Sequence, residues 1–227
     1  MTNAIIKQEF DTGIFDIPFF RIVRYDMDSV LTALKELSGM TPLIMDAKVT
    51  SPGRDWELFL QVNGFRKVCV QVELEKTVTE HLDDKGINVA ETHYISDSAI
   101  WDHVRNFVFD RFSLDPFIPQ DKRDLLYFAW IRNSFANPSI PVAHHETEFC
   151  TFKRKEGLLF IDLISVVGKG KNLGSRLLAS VNNYALGNDY PIIKVITETE
   201  NWNAVRFYMA NGYRISRFIS CYHLTRL

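Results

Sequence analysis

The sequence predicts an α/β protein made of two related units, and three observations carry that prediction. Short apolar, β-branched runs alternate with amphipathic segments of helical period along the 227 residues. A helical stretch closed by Asn-Gly and followed by an aromatic and an arginine occurs twice, at 57–66 and at 205–214. Glycine just past a helix end adopts the left-handed conformation cheaply, so each copy reads as a helix turned sharply into a strand. Only the second copy has a Gly-rich turn upstream of it, at 168–175, and only it has a tyrosine, Tyr208, where the first has Leu60. Any chemistry is therefore expected in the second unit.

Taken in order, residues 15–25 are aromatic and β-branched and predict a strand. Asp28 then caps a helix with Val30, Leu31, Leu34 and Leu37 on one face, ending near Gly39. A short strand follows at 43–49, and Pro52 opens a helix carrying Trp56, Phe59, Leu60 and Val62 as far as Asn63-Gly64. Residues 65–74 are a strong strand. The polar stretch 75–89 reads as a linker, which divides the chain into units 1–89 and 90–227. The second unit opens with a strand near 91–95 and a helix capped by Ser96 or Asp97. The pattern breaks at 111–119, and an aromatic-rich helix runs over 122–135. Strands at 146–152 and 158–166 flank a charged turn at 153–157, read as a solvated hairpin tip. After the Gly-rich turn come a helix to about Leu186, a strand at 192–197, a helix at 201–211 and a last strand at 213–224.

Composition narrows the class. Lys and Arg number 26 against 28 Asp and Glu, a net charge of −2, so the basic excess of a nucleic-acid binder is missing. No apolar run approaches the roughly 20 residues that span a bilayer, and the start lacks the basic-then-apolar order of a secretory signal. The three cysteines, Cys69, Cys150 and Cys221, lie far apart in apolar strands. They read as reduced core thiols of a cytoplasmic protein and form no metal-ligand spacing, so no metal is expected.

The turn Gly168-Lys169-Gly170-Lys171-Asn172-Leu173-Gly174-Ser175 joins an apolar strand to an amphipathic helix, a place where unpaired backbone N–H groups and the helix dipole favour phosphate. A P-loop needs its second Gly where Leu173 stands, and the dinucleotide fingerprint needs its third Gly there too. Glu198 follows the next strand roughly where that fingerprint wants an acid, but only about 30 residues remain for the rest of a doubly wound sheet. The frame from Lys169 to Gly174 resembles instead the pyrophosphate turn of the GNAT acyltransferases, Gln/Arg-x-x-Gly-x-Gly/Ala. It departs at Lys169, which keeps the positive charge, and at Asn172, which tolerates positive φ. One strand further on, Asn201-x-x-Ala204-x-x-Phe207-Tyr208-x-x-x-Gly212-Tyr213 resembles the second GNAT signature.

This resemblance implies a GNAT fold, a mixed and mostly antiparallel sheet with flanking helices, preceded by a degenerate half of the same fold. It implies acyl-coenzyme A as cosubstrate, held by Ile164, Val166, Lys169, Gly170, Lys171, Asn172, Leu173, Gly174, Ser175, Asn201 and Tyr208. In the family the strand before the turn splays from its neighbour, and a backbone N–H near 163–166 polarises the thioester carbonyl. Tyr208 is then the proton donor to the departing thiolate. Asp162, where many members carry an acid, is the expected general base. His144-His145 and an ordered-water relay are the alternatives.

Phe15-Asp16-Ile17-Pro18-Phe19-Phe20-Arg21-Ile22, Asn63-Gly64-Phe65, Asp110-Arg111-Phe112-Ser113 and Tyr127-x-x-Trp130-x-x-Asn133 are similar to the dTDP-fucosamine acetyltransferase family. That likeness implies an acceptor amine on a nucleotide-linked amino-dideoxy sugar destined for surface polysaccharide, with acetyl or a short acyl such as 3-hydroxybutyryl transferred. Arg111, Tyr127 and Asn133 are the expected acceptor-binding residues, although Tyr127 and Trp130, three apart on a helix, also fit a core face. An apolar last strand left at a sheet edge predicts a homodimer. The rival readings are a GNAT enzyme for another amine (a protein N-terminus, a polyamine, an antibiotic) and a non-catalytic acyl-CoA-binding module.

Overall fold

The computed structural model describes residues 4–50, 53–168 and 172–226. Its elements are, in chain order, β1 (Ile5–Lys7), α1 (Glu9–Phe15), β2 (Phe19–Ile22), α2 (Met27–Glu36), β3 (Leu43–Thr50), α3 (Arg54–Val62), β4 (Arg66–Thr77), β5 (Asn88–Ala90), α4 (Asp97–Val104), α5 (Gln120–Ala136), β6 (Val142–His145), β7 (Glu148–Lys155), β8 (Leu158–Ser165), α6 (Leu173–Gly187), β9 (Ile192–Glu198), α7 (Trp202–Ala210) and β10 (Arg214–Arg226). The ten strands form one sheet in the order β1-β2-β3-β10-β4-β9-β8-β7-β6-β5. Its pairs are antiparallel except β2 with β3 and β8 with β9, so the expected mixed, mostly antiparallel sheet is present.

The order exposes a repeat longer than the one visible in the sequence. The run β2-α2-β3-α3-β4 matches β8-α6-β9-α7-β10 element for element, each with one parallel strand pair. Both second helices end alike. Asn63 and Asn211 donate from Nδ2 to the carbonyls of Phe59 and Phe207, each at 2.8 Å. Gly64 and Gly212 both take φ of 86°, and the next residue's N–H returns to the carbonyl of Leu60 or Tyr208. These are helix ends closed by a left-handed glycine.

The last strands of the two units are exchanged. β10 pairs with β3 of the first unit, β4 pairs with β9 of the second, and β4 and β10 lie side by side at the centre. Each unit is thus completed by the other's strand. One cluster packs Val30, Leu34 and Leu60 with Tyr222 and Leu224 of β10, and another packs Leu177, Val181, Val205 and Tyr208 with Val72 and Leu74 of β4.

Several expectations change in detail. Residues 9–15 form α1, and Phe15 ends that helix, so the strand begins only at Phe19. The cap of α2 is Asp26, whose Oδ1 accepts from the Ser29 N–H at 2.9 Å, and not Asp28. Pro52, expected to open α3, lies outside the described residues. The polar stretch 75–89 is the end of β4 followed by a loop into β5, and 91–95 is not a strand. His144 and His145 belong to β6, paired between β5 and β7. The apolar last strand, β10, is interior. Among the described residues the sheet edges are β1 and β5, of three residues each, so the edge that predicted a homodimer is already covered. No described helix is long and apolar enough to cross a membrane.

Candidate active site

β8 and β9 start side by side, pairing Leu159 with Ile193 and Phe160 with Lys194, and then part. Beyond Phe160 the edge of β8 facing β9 has no ladder partner. Asp162 is the extra residue of a bulge against β7; past it Leu163 donates its N–H the other way, to Thr151 Oγ1 at 3.1 Å, so strand alternation turns the N–H of Ile164 into the gap. A cavity of about 370 Å³ fills it. β8 contributes Asp162 and Ile164 to the wall, β9 contributes Glu198, and α7 contributes Asn201 and Tyr208. Lys48 and Gln71 reach it from the first unit, and Arg111, Tyr127 and Trp130 close it.

Tyr208 is on the buried side of α7, its ring 5.6 Å from that of Tyr213. Burial pushes its phenol well above the ordinary range, which keeps it a neutral O–H donor. Asn201 is the N-cap of α7, its Oδ1 accepting from the Ala204 N–H at 3.3 Å, so the same side chain fixes the helix start and faces the cleft.

The residue that the sequence reading passed over is Glu198, named there only in the dinucleotide motif it failed to complete. It ends β9 opposite Gln71 of β4 in register, and Gln71 Nε2 donates to its Oε1 at 2.8 Å. Burial, opposed by that hydrogen bond and reinforced by Asp110, raises its carboxyl to about 7. Gln71 Oε1 in turn accepts from Lys48 Nζ at 3.0 Å. Polar residues interrupting apolar strands, at Lys48, Gln71 and Glu198, were the available signal. Their meeting depends on the exchange of strands between units.

Asp162 lines the same cleft, but its carboxylate is engaged by Lys153 Nζ at 2.9 Å and by the Trp130 indole N–H at 2.8 Å. His144 and His145 are not among the cleft residues. His144 stacks on His93 with centroids 3.6 Å apart, and His145 Nδ1 lies 2.8 Å from the Gly86 carbonyl.

Of the turn, Lys169, Gly170 and Lys171 lie outside the described residues. Val166 follows β8, its carbonyl 3.5 Å from Asn106 Nδ2. Glu148 takes the N–H groups of Val167 and Gly168 at 2.7 and 2.9 Å and so pins the strand end. Asn172 sits at φ 51° as the N-cap of α6 with no side-chain cap bond, leaving the first N–H groups of that helix free of one. The equivalent helix of the first unit, α2, has its N-terminus filled by the Asp26 carboxylate. Leu173 is buried. A Cβ on Gly174 would stand 3.0 Å from the Phe207 ring, so glycine is what lets α6 approach α7. Ser175 lines a shallow hollow with Lys76, Arg176 and Asn211.

Arg111 is presented by its neighbour. Asp110 Oδ1 accepts the Phe112 and Ser113 N–H groups at 2.8 and 3.2 Å, a turn that directs Arg111 inward. Tyr127 is buried, stacked on Phe107 at 4.6 Å and Trp130 at 5.8 Å, and also reaches the cleft. Core packing and a cleft position therefore coincide in one residue. Asn133, further along α5, faces a second cavity of about 410 Å³ instead.

No protein-family profile matches the sequence, and no curated protein is similar to it. Solved structures are. The fold is similar to a GCN5-related N-acetyltransferase from Sphaerobacter thermophilus (TM-score 0.61, 12% identity, 98% of this chain and 76% of that one). It is also similar to a GCN5-related N-acetyltransferase from Kribbella flavida (TM-score 0.56, 11% identity, 98% and 87%). A tandem GNAT protein from the clavulanic acid biosynthesis pathway matches at TM-score 0.55 with 10% identity, over 92% of this chain and 75% of that one. At such identities the likeness establishes the fold, and the fold is that of the GNAT proteins.

Proposed function

We propose that the chain is an acyl-CoA-dependent N-acyltransferase whose reaction centre is the gap between β8 and β9. The observation that carries this reading is the parting of the two parallel strands beside Tyr208 and Glu198. The unpaired edge of β8 offers hydrogen-bonding groups to the pantetheine arm, and the uncapped start of α6 offers N–H groups to a pyrophosphate. The turn residues named from the sequence, from Lys169 to Ser175, are proposed to hold that end.

Glu198 takes a proton from the acceptor ammonium, freeing the nitrogen lone pair for attack on the thioester carbonyl. The N–H of Ile164 receives the developing oxyanion. As the C–N bond forms and the C–S bond breaks, the nitrogen sheds its second proton to solvent, and Tyr208 gives its proton to the leaving sulfur and regains one from solvent. Amide, free thiol and one released proton balance the reaction. A carboxyl raised to about 7 is suited to this base role near neutral pH. We assign the base to Glu198 over Asp162 because two donors already occupy Asp162.

The acceptor suggested by the sequence resemblance is an amino-dideoxy sugar on a nucleotide diphosphate. What supports it is the placement of Arg111 at the cleft and of Asn133 and Arg111 on the second cavity. The test is thiol release from acetyl-CoA with 3-amino and 4-amino dTDP-linked sugars offered separately and spermidine as control. Release that requires one nucleotide sugar supports this acceptor, and release with spermidine alone refutes it.

A further inference from the structure

Resting on the acyl-transfer reading, we infer that the acceptor carries an anionic group, a carboxylate or a phosphate, a few bonds from its amine, and that Arg111 and Lys48 receive it where two cavities meet. The cleft does not end at Gln71. Lys48, Arg111 and Trp130 line both the reaction cleft and the second cavity, which runs on to Arg21, Asn133 and Lys153.

Arg111 is a buried cation whose hydrogen-bonding capacity is unused. Its guanidinium makes no hydrogen bond among the described residues, and its Nε is sealed from solvent, with only a long ion pair to Asp46. The nearest carboxylate oxygen is Asp46 Oδ2 at 3.5 Å, and Asp46 is already held by Arg21 through Nε and Nη2, each at 2.9 Å. The Phe112 ring packs against the guanidinium, its centroid 4.1 Å from Cζ, which leaves the hydrogen-bonding edge for a ligand. Lys48 lies beside it and spends one donor on Gln71. Burial and the Arg111 charge hold the Lys48 ammonium down to about 8, and the nearby Asp46 carboxylate only partly offsets them. Asp11 also lines the second cavity, and burial raises its carboxyl while Arg111 and Arg21 oppose that rise. Donors buried without acceptors are costly unless a ligand meets them.

The spacing links this seat to the chemistry. One carboxamide, that of Gln71, touches Lys48 with its oxygen and Glu198 with its nitrogen. An anion at the seat and an amine at Glu198 therefore belong to one small molecule, such as a γ-amino acid or an amino sugar bearing an anomeric phosphate. A polyamine would set its second charge against Arg111 and Lys48. Whatever extends beyond a phosphate has the second cavity to enter.

Thiol release from acetyl-CoA tests this with matched pairs: γ-aminobutyrate against butylamine, and glucosamine 1-phosphate against methyl glucosaminide. The charged member of at least one pair should be preferred by about tenfold or more in kcat/KM. That preference should collapse to within about twofold in Arg111→Gln and survive in part in Arg111→Lys. The preferred pair identifies carboxylate or phosphate. Equal use of charged and neutral members, or an unchanged preference in Arg111→Gln, overturns the proposal. Should no amine stimulate release, the acyl-transfer reading fails separately, and calorimetry with γ-aminobutyrate and inorganic pyrophosphate decides the seat. Binding that Arg111→Gln abolishes and Arg111→Lys partly restores upholds it, whereas no binding, or equal binding to all forms, overturns it.

Discussion

At Glu198 two demands oppose each other: the end of a central strand favours burial, and the base role proposed for it requires ionisation. The outcome is a carboxyl raised to about 7, with consequences for rate and for stability. kcat/KM should rise with pH through about 7 as the carboxyl loses its proton, and Glu198→Gln should flatten that limb while lowering the rate about 100-fold or more. Stability moves the other way. A folded-state pKa raised above the unfolded value gives stability that is complete below the unfolded pKa and lost as pH rises through the folded one. Glu198→Gln, with no charge to desolvate, should therefore melt above the parent at pH 8 by up to roughly 3 kcal/mol and lose that advantage near pH 4. Melting curves at the two pH values check the sign. Tyr208 and Arg111, which line the cleft, each sit in a local motif of the sequence. Glu198 does not, because its partner Gln71 lies 127 residues away across the exchanged strands, and no local pattern encodes that register.

At the scale of elements, the turn before α6 combines a left-handed Asn172 with a glycine at a helix crossing. Asn172→Gly should leave the melting temperature unchanged or slightly raised, whereas Asn172→Val should cost about 1 to 2 kcal/mol, because a β-branched residue resists φ of 51°. Gly174→Ala pushes a methyl toward the Phe207 ring. It should weaken acetyl-CoA binding, measured by calorimetry, and Phe207→Leu should restore part of the loss. The amphipathic segments α6 and α7 and the strands β8 and β9 follow from hydrophobic period, whereas α5, with little segregation of its apolar residues, is marked by its aromatic content. α1 does not. Its sequence, Glu-Phe-Asp-Thr-Gly-Ile-Phe, places a glycine and two β-branched residues inside a helix and hands its last aromatic to what reads as the next strand. β6, with its paired histidines, lacks the apolar signature of a strand and exists because β5 and β7 flank it.

For the whole molecule, strand exchange means that neither unit owns a complete sheet. We propose that 1–89 and 90–227 remain useful as descriptions of ancestry but not as separable bodies. A fragment of 90–227 lacks β4, against which β9 and β10 both pair. It should be unfolded or associated by sedimentation unless 1–89 is supplied, and co-expression of the two fragments should restore a folded complex. The same exchange brings Lys48 and Gln71 of the first unit to Glu198 and Tyr208 of the second, so the first unit helps to build the site. The acyl-transfer reading stands or falls on thiol release from acetyl-CoA over a panel of primary amines, for the parent and for Tyr208→Phe. Release should require an amine and fall about 100-fold or more in the variant, with acetyl-CoA binding and melting temperature preserved. Amine-dependent release undiminished in Tyr208→Phe, or no release with any amine from a parent that binds acetyl-CoA, would contradict it.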